Sequence, residues 1–136
     1  MSVEDGTVGK NSDPRLQLTE QELEIMKVIW QAPDAVTVRD VYEVLLERRK
    51  VAYTTVMTMM GILEKKGHLT REKAGRAYCY RPVRSRKTSQ AGLLRDFVER
   101  VFDGSARPLL LALAEEEQIS EDDLDAIRRK IEEVKE

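Results

Sequence analysis

Four residues at helical spacing raise the question of chemistry. Thr54, Thr58, Gly61 and Lys65 recur at i, i+4, i+7 and i+11, which in a helix places them on a single stripe. Thr55 and Met57 flank that stripe at its N-terminal end. Small hydroxyl side chains let a helix come close to base edges, and their oxygens and methyls can contact bases or a thymine methyl. A helix N-terminus adds free amides and positive dipole charge for a phosphate. The bland reading of the same stripe is a solvated face made of poor helix formers. Further along, Arg71, Lys73 and Arg76 crowd a turn around Gly75. Cations at a hairpin tip can neutralise phosphates, or can simply discourage pairing at a sheet edge. Arg39, Arg48, Arg49 and Lys50 add positive charge just before the stripe.

Little else in the chain could do chemistry. His68 and Cys79 are the one histidine and the one cysteine. They are expected to be a surface histidine and a reduced strand cysteine opposite Thr70, since two ligands do not make a metal site. A single cysteine also excludes an intrachain disulfide and an all-cysteine zinc site. Glycine-rich phosphate loops and nucleophile elbows are missing from the sequence. No enzyme, metal or cofactor is expected. Met57, Met59 and Met60 read as packing and adaptable groove contacts, and Trp30 as a core residue.

The positive charge is concentrated. The 136 residues sum to −2, yet residues 39–87 hold 13 basic and 5 acidic groups. Residues 103–136 hold 5 basic and 11 acidic ones. A basic block joined to an acidic block suits a phosphate-binding module with a separate half that does not bind. The longest purely apolar run, Leu109–Ala114, is far below the roughly 20 residues that cross a bilayer. The N-terminal stretch has no apolar signal-peptide region. The expectation is a cytoplasmic protein without membrane insertion.

The elements that must position these residues follow from periodicity. Residues 1–17 lack it and read as a disordered tail. Thr19 with Glu22, Thr37 with Asp40 and Ser120 with Asp123 are three capping boxes, each announcing a helix. The first helix carries Leu23, Met26 and Trp30 and ends at Pro33. The second carries Val38, Val41 and Leu45. The third, about Tyr53–Lys66, buries Val56, Met59, Met60 and Leu63, with Gly67 as its cap. The period then changes: His68–Lys73 and Arg76–Val83 predict two strands about an Ala74–Gly75 turn. Residues 84–88 read as a basic connector. A fourth helix spans about 88–102, a fifth about Ala106–Glu116, and a sixth follows Ser120.

Three helices closed by a hairpin predict a winged helix-turn-helix over residues 18–84, so the fold class is mainly α with a small β-hairpin. In such a unit the third helix enters the major groove and the hairpin reaches the flanking backbone. Residues 85–136 predict a helical dimerisation domain. Leu94, Phe97, Val98, Val101, Phe102, Leu110, Leu113, Leu124, Ile127 and Ile131 are too many apolar groups for a thin helical layer to hide, and a two-fold related copy is the natural cover. The alternative is packing back onto the first helix within one chain.

Four segments resemble the BlaI/MecI penicillinase-repressor family: LTEQELEIMKVIW at 18–30, VTVRDVYEVL at 36–45, AYTTVMTMMGILEKKGHL at 52–69 and GRAYCYRPV at 75–83. The resemblance implies a dimeric winged-helix repressor of palindromic operators. It makes the helix around Thr54, Thr55 and Thr58 the recognition helix, and the helices after residue 88 the dimerisation half. It also implies induction through a membrane sensor and a linked protease that cut an Asn–Phe bond in the antibiotic-responsive members. The corresponding pair here is Ala112–Leu113, a departure from that pattern. The copper-responsive branch carries paired cysteines near its C-terminus, and no cysteine follows Cys79 here.

The expected function is a sequence-specific DNA-binding repressor acting as a homodimer. The expected DNA contacts are Thr54, Thr55, Met57, Thr58, Lys65, Arg71, Lys73 and Arg76. Two alternatives stand beside it: a winged-helix regulator answering a small-molecule effector, and a winged-helix protein-interaction module without DNA binding.

Overall fold

A computed structural model describes residues 17–135. The expected tail over 1–17 therefore lies, but for Gln17, outside the described residues. The elements are α1 (Glu20–Gln31), α2 (Val38–Leu46), α3 (Tyr53–Lys65), β1 (Leu69–Ala74), β2 (Ala77–Pro82), α4 (Arg86–Phe102), α5 (Ala106–Glu115) and α6 (Glu121–Lys135). The chain forms two compact units that divide inside α4, between Asp96 and Phe97.

In the first unit α1 and α2 each begin with a reciprocal cap. The Thr19 hydroxyl accepts from the Glu22 amide at 3.1 Å, and the Thr19 amide donates to the Glu22 carboxylate at 2.9 Å. Thr37 and Asp40 repeat the arrangement at 3.1 and 2.9 Å. Each such cap satisfies two amides that a helix end leaves orphaned. The apolar stripes then meet in one core. Ile25, Met26 and Ile29 of α1, Val41 and Leu45 of α2, and Val56, Met60 and Leu63 of α3 are all buried. Leu69 and Tyr80 close the core from the hairpin side. Each of these side chains stabilises by about 1.5–3 kcal/mol when fully buried.

The hairpin departs from the sequence expectation by one residue. Ala74 pairs with Ala77, so the turn is Gly75–Arg76 and not Ala74–Gly75. The reason is backbone conformation. Gly75 sits at φ +67°, and a hairpin turn with left-handed backbone at its first central position selects glycine there. The register moves with it, and Cys79 lies opposite Glu72 instead of Thr70. One backbone pairing was not foreseen. Val36, in the α1–α2 connection, exchanges hydrogen bonds with Tyr80: N–H to O at 3.1 Å one way and 2.7 Å the other. This satisfies the inner edge of β2 and fixes the hairpin to the helices.

Two further corrections concern local sites. His68 is buried, at 4% exposure, and is not a surface histidine. It follows Gly67, whose φ of +90° ends α3 and turns the chain inward before β1. The fourth helix begins at Arg86, inside the expected connector. Ser85 is responsible: its hydroxyl accepts from the Thr88 amide at 3.1 Å and so caps the first turn.

The second unit comprises the end of α4, α5 and α6. Asp103 at φ +53° and Gly104 at φ +84° end α4, and the Gly104 amide returns to the Val98 carbonyl at 3.0 Å. Ser120 and Asp123 form the third reciprocal cap, at 2.9 and 3.1 Å. No described residue from Phe97 onward is buried. Of the apolar residues expected at a dimer interface, Leu94, Phe97, Val101, Leu110, Leu124, Ile127 and Ile131 are exposed. Val98, Phe102 and Leu113 are half-buried. Phe97 and Phe102 meet edge to face at 5.8 Å between centroids. Ala112 and Leu113 lie within α5.

Candidate nucleic-acid interface

The outer face of α3 is open. Thr54, Thr55, Met57, Thr58 and Lys65 are all exposed, while Val56, Met60 and Leu63 turn inward. Gly61 lies on the same outer stripe, and a methyl placed on it would meet nothing within 4 Å. The start of α3 differs from those of α1, α2 and α6. Ala52 stands at its cap and makes no side-chain bond to the first turn. The Thr55 amide turns back to the Ala52 carbonyl at 3.1 Å, which leaves the Tyr53 and Thr54 amides for an external acceptor or for water.

The two flanks of α3 differ in charge. On the α1 side a groove of about 690 Å³ runs between Thr19–Glu22 and the row Thr54, Thr55, Thr58, Met59 and Ile62. Glu20 is an exposed carboxylate on that wall, whereas the Glu22 carboxylate is buried against the Lys66 ammonium. On the hairpin side a concavity of about 580 Å³ is lined by Thr37, Val38, Arg39, Tyr53, Met57, Arg71, Arg76, Ala77, Tyr78 and Tyr80. Three arginines and no carboxylate line it. A polyanion is attracted to the second flank.

The cations of the middle block are not equivalent. Arg49 donates to Glu24 at 2.7 Å, which raises its pKa, and Arg81 donates to Asp34 at 3.3 Å. Arg39 is 3.5 Å from Glu43 and 6.0 Å from the centre of the Tyr53 ring. Among the described residues, Lys65, Lys73 and Arg76 have no ion-pair partner. Arg71 is engaged on two sides. Its Nε lies 3.3 Å from the Glu64 carboxylate, and its guanidinium carbon stands 4.1 Å over the Tyr78 ring. Its pKa is raised, first by the Tyr80 hydroxyl and then, against some opposition from burial, by Glu64.

The structure thus brings Met57, Arg71 and Arg76 into one concavity, with Thr54, Thr55 and Thr58 along the adjoining helix face. Lys65 and Lys73 are exposed but line neither hollow. Sequence reasoning left out Tyr53 and Tyr78 as lining residues. Tyr53 stands at the first position of α3, edge to face with Tyr42 at 5.4 Å. The sequence signal was there in both cases: an aromatic residue opening the polar helix, and an aromatic one alternating beside cations. His68 and Cys79 form no cluster with other ligands, and among the described residues no group of three metal-ligating side chains occurs.

Three helices closed by a hairpin, followed by further helices, define a winged helix-turn-helix protein with a helical C-terminal half. Residues 18–133 match the penicillinase repressor family. The chain belongs to that family, whose members are repressors and not enzymes. It is 36% identical over 118 residues to the transcriptional regulator BlaI of Mycobacterium tuberculosis, covering 87% of this chain and 85% of that one. It is 29% identical to the penicillinase repressor of Bacillus licheniformis, over 88% and 92% of the two chains. Against the methicillin resistance regulatory protein MecI of Mammaliicoccus sciuri the identity is 24%, over 82% and 90%. A solution structure of the DNA binding domain of the repressor BlaI superposes with a TM-score of 0.47 at 34% identity, covering 52% of this chain and 84% of that one. No described helix is long and apolar enough to cross a membrane.

Proposed function

We propose that this chain, a DNA-binding transcriptional repressor by family, reads a palindromic operator as a cytoplasmic homodimer. Thr54, Thr55, Met57 and Thr58 face the bases, and the hairpin lies against the flanking phosphates. The observation that carries this reading is the asymmetry around α3. Its N-terminus lacks a side-chain cap, its outer face is open and small, and only the hairpin flank is lined by arginines. In the proposed role Lys65, Lys73, Arg76 and Arg39 contribute phosphate contacts, which position the helix while the threonines specify.

The proposed dimer covers the apolar residues of the second unit. Leu124, Ile127 and Ile131 recur at i, i+3 and i+7 on α6, which puts them on one stripe. Two clasped chains would present two α3 helices to half-sites about 34–36 Å apart or a multiple of it. Separation of the chains then costs most of the affinity, because the second half-site binds intramolecularly. Release through cutting at Ala112–Leu113 by a sensor-linked protease would require α5 to unwind locally, since both residues are helical.

The decisive measurement is binding of fluorescent duplexes selected by the wild-type protein from a random library, over a series of salt concentrations. Retention with a steep salt slope supports the reading. A complete lack of duplex binding in dilute buffer overturns it in favour of a protein-interaction module. A second reading, regulation by a small molecule, has one observation in its favour. A hollow of about 350 Å³ adjoins Trp30, Pro33, Arg81 and the first turn of α4, within the size range of small-ligand sites.

A further inference from the structure

We infer that Arg71 is a positioning residue, which joins the hairpin to the recognition helix through Glu64 and Tyr78 and does not itself neutralise a phosphate. The inference rests on the DNA-binding reading above. Glu64 belongs to the last turns of α3, and Arg71 and Tyr78 to the two strands of the hairpin. Arg71 Nε approaches the Glu64 carboxylate at 3.3 Å. One face of its guanidinium is covered by the Tyr78 ring at 4.1 Å, an arrangement in which the ring quadrupole attracts the cation. Tyr80, directly opposite in the register, anchors the same strand in the core. Lys73 and Arg76 have no such partners, so the hairpin divides its cations into two that are held, Arg71 by Glu64 and Tyr78 and Arg81 by Asp34, and two that are available.

Glu64 is the telling residue. A carboxylate on a helix that meets phosphates repels them, and its neighbour Lys65 shows that a cation is accommodated at the adjoining position. Glu64 has a purpose if it fixes Arg71. The pair adds little to folding, because the two side chains are 41% and 33% exposed and such pairs are weak in solvent. What it restrains is the direction in which the hairpin leaves α3, and therefore whether the bases and the flanking backbone are reached together.

The sign of one substitution separates this from simple electrostatics. Glu64→Gln removes a negative charge from the helix that carries the proposed reading stripe. If charge alone mattered, binding would tighten. The positioning role predicts that Glu64→Gln weakens binding to a library-selected duplex by about three- to tenfold, as coupled neighbours do. Arg71→Ala gives a similar loss, and the double variant is no worse than either single one. The salt slope stays at its wild-type value in all three, and thermal midpoints shift by no more than a few degrees. Equal or tighter binding by Glu64→Gln overturns the inference, as does a slope flattened by about one unit in Arg71→Ala. Should the wild-type protein itself retain no duplex, the DNA-binding reading falls and the inference with it.

Discussion

The Lys66 ammonium lies 2.7 Å from the Glu22 carboxylate and joins the end of α3 to the first turn of α1. The same carboxylate oxygen accepts the Thr19 amide at 2.9 Å, and Lys66 also donates to the Gln17 carbonyl at 3.1 Å. Glu22 is 4% exposed. Burial alone would raise its pKa, but the hydrogen bonds from Lys66 and Thr19 and the Lys66 charge outweigh burial and lower it. A carboxylate with a lowered folded pKa adds stability above its unfolded value, about 4.3. That contribution disappears as the pH falls through the folded value. Urea denaturation should therefore show wild type losing stability below about pH 4.3, with Glu22→Gln lacking that component. At pH 7 Glu22→Gln should cost about 1–3 kcal/mol, since it leaves Lys66 without its partner. A variant as stable as wild type at pH 7 contradicts this account.

Arg76 and Thr58 should fail in different ways. Arg76→Ala is expected to weaken all duplexes alike and to reduce the salt slope by about one unit. Thr58→Ala is expected to change preference at one operator position by about 1–3 kcal/mol. Binding titrations against a panel of single-base operator variants distinguish the two. An unaltered preference profile in Thr58→Ala removes that residue from the reading set.

Gly61 is costly to the helix that contains it. A glycine inside a helix destabilises by about 0.5–1 kcal/mol relative to alanine, and the surrounding chain leaves the position open. Gly61→Ala should therefore raise the urea midpoint by a corresponding amount. Operator affinity should fall, because the added methyl projects from the face proposed to approach DNA. A gain in both stability and affinity shows that no close approach occurs there.

The C-terminal stripe should control assembly. Ile127→Glu places a charge among residues that are 37–50% exposed in the single chain. Sedimentation equilibrium is expected to show a dimer for wild type and single chains for the variant. The thermal midpoint of the winged unit should be unchanged, and operator affinity should fall by at least tenfold through loss of the second half-site. Wild-type protein that sediments as single chains at the concentrations where it binds DNA rules out the dimer.

Much of the winged unit was legible because its signals are local. Thr19 with Glu22 and Thr37 with Asp40 are caps within four residues, and the spacing of Val56, Met60 and Leu63 states which side of α3 is apolar. The errors came where a local rule had two solutions. Either Ala74–Gly75 or Gly75–Arg76 satisfies a two-residue turn containing glycine. The left-handed backbone at Gly75 suits the second, and pairing across the whole hairpin, with Tyr80 drawn into the core, goes with it. His68 looked exposed as a polar residue beside a turn, yet Gly67 directs it inward.

Residue order and spacing were enough for the three helices of the winged unit, the three reciprocal caps, the open polar stripe on α3 and the basic block around it, because each depends on backbone preferences and periodicity over a few residues. Which cations are held and which are available depended on distant partners. Arg49 meets Glu24, Arg71 meets Glu64 and Tyr78, and Lys66 meets Glu22 only after the chain has folded. Coulomb attraction acts on separation in space, and only the packing of α1, α2, α3 and the hairpin sets those separations.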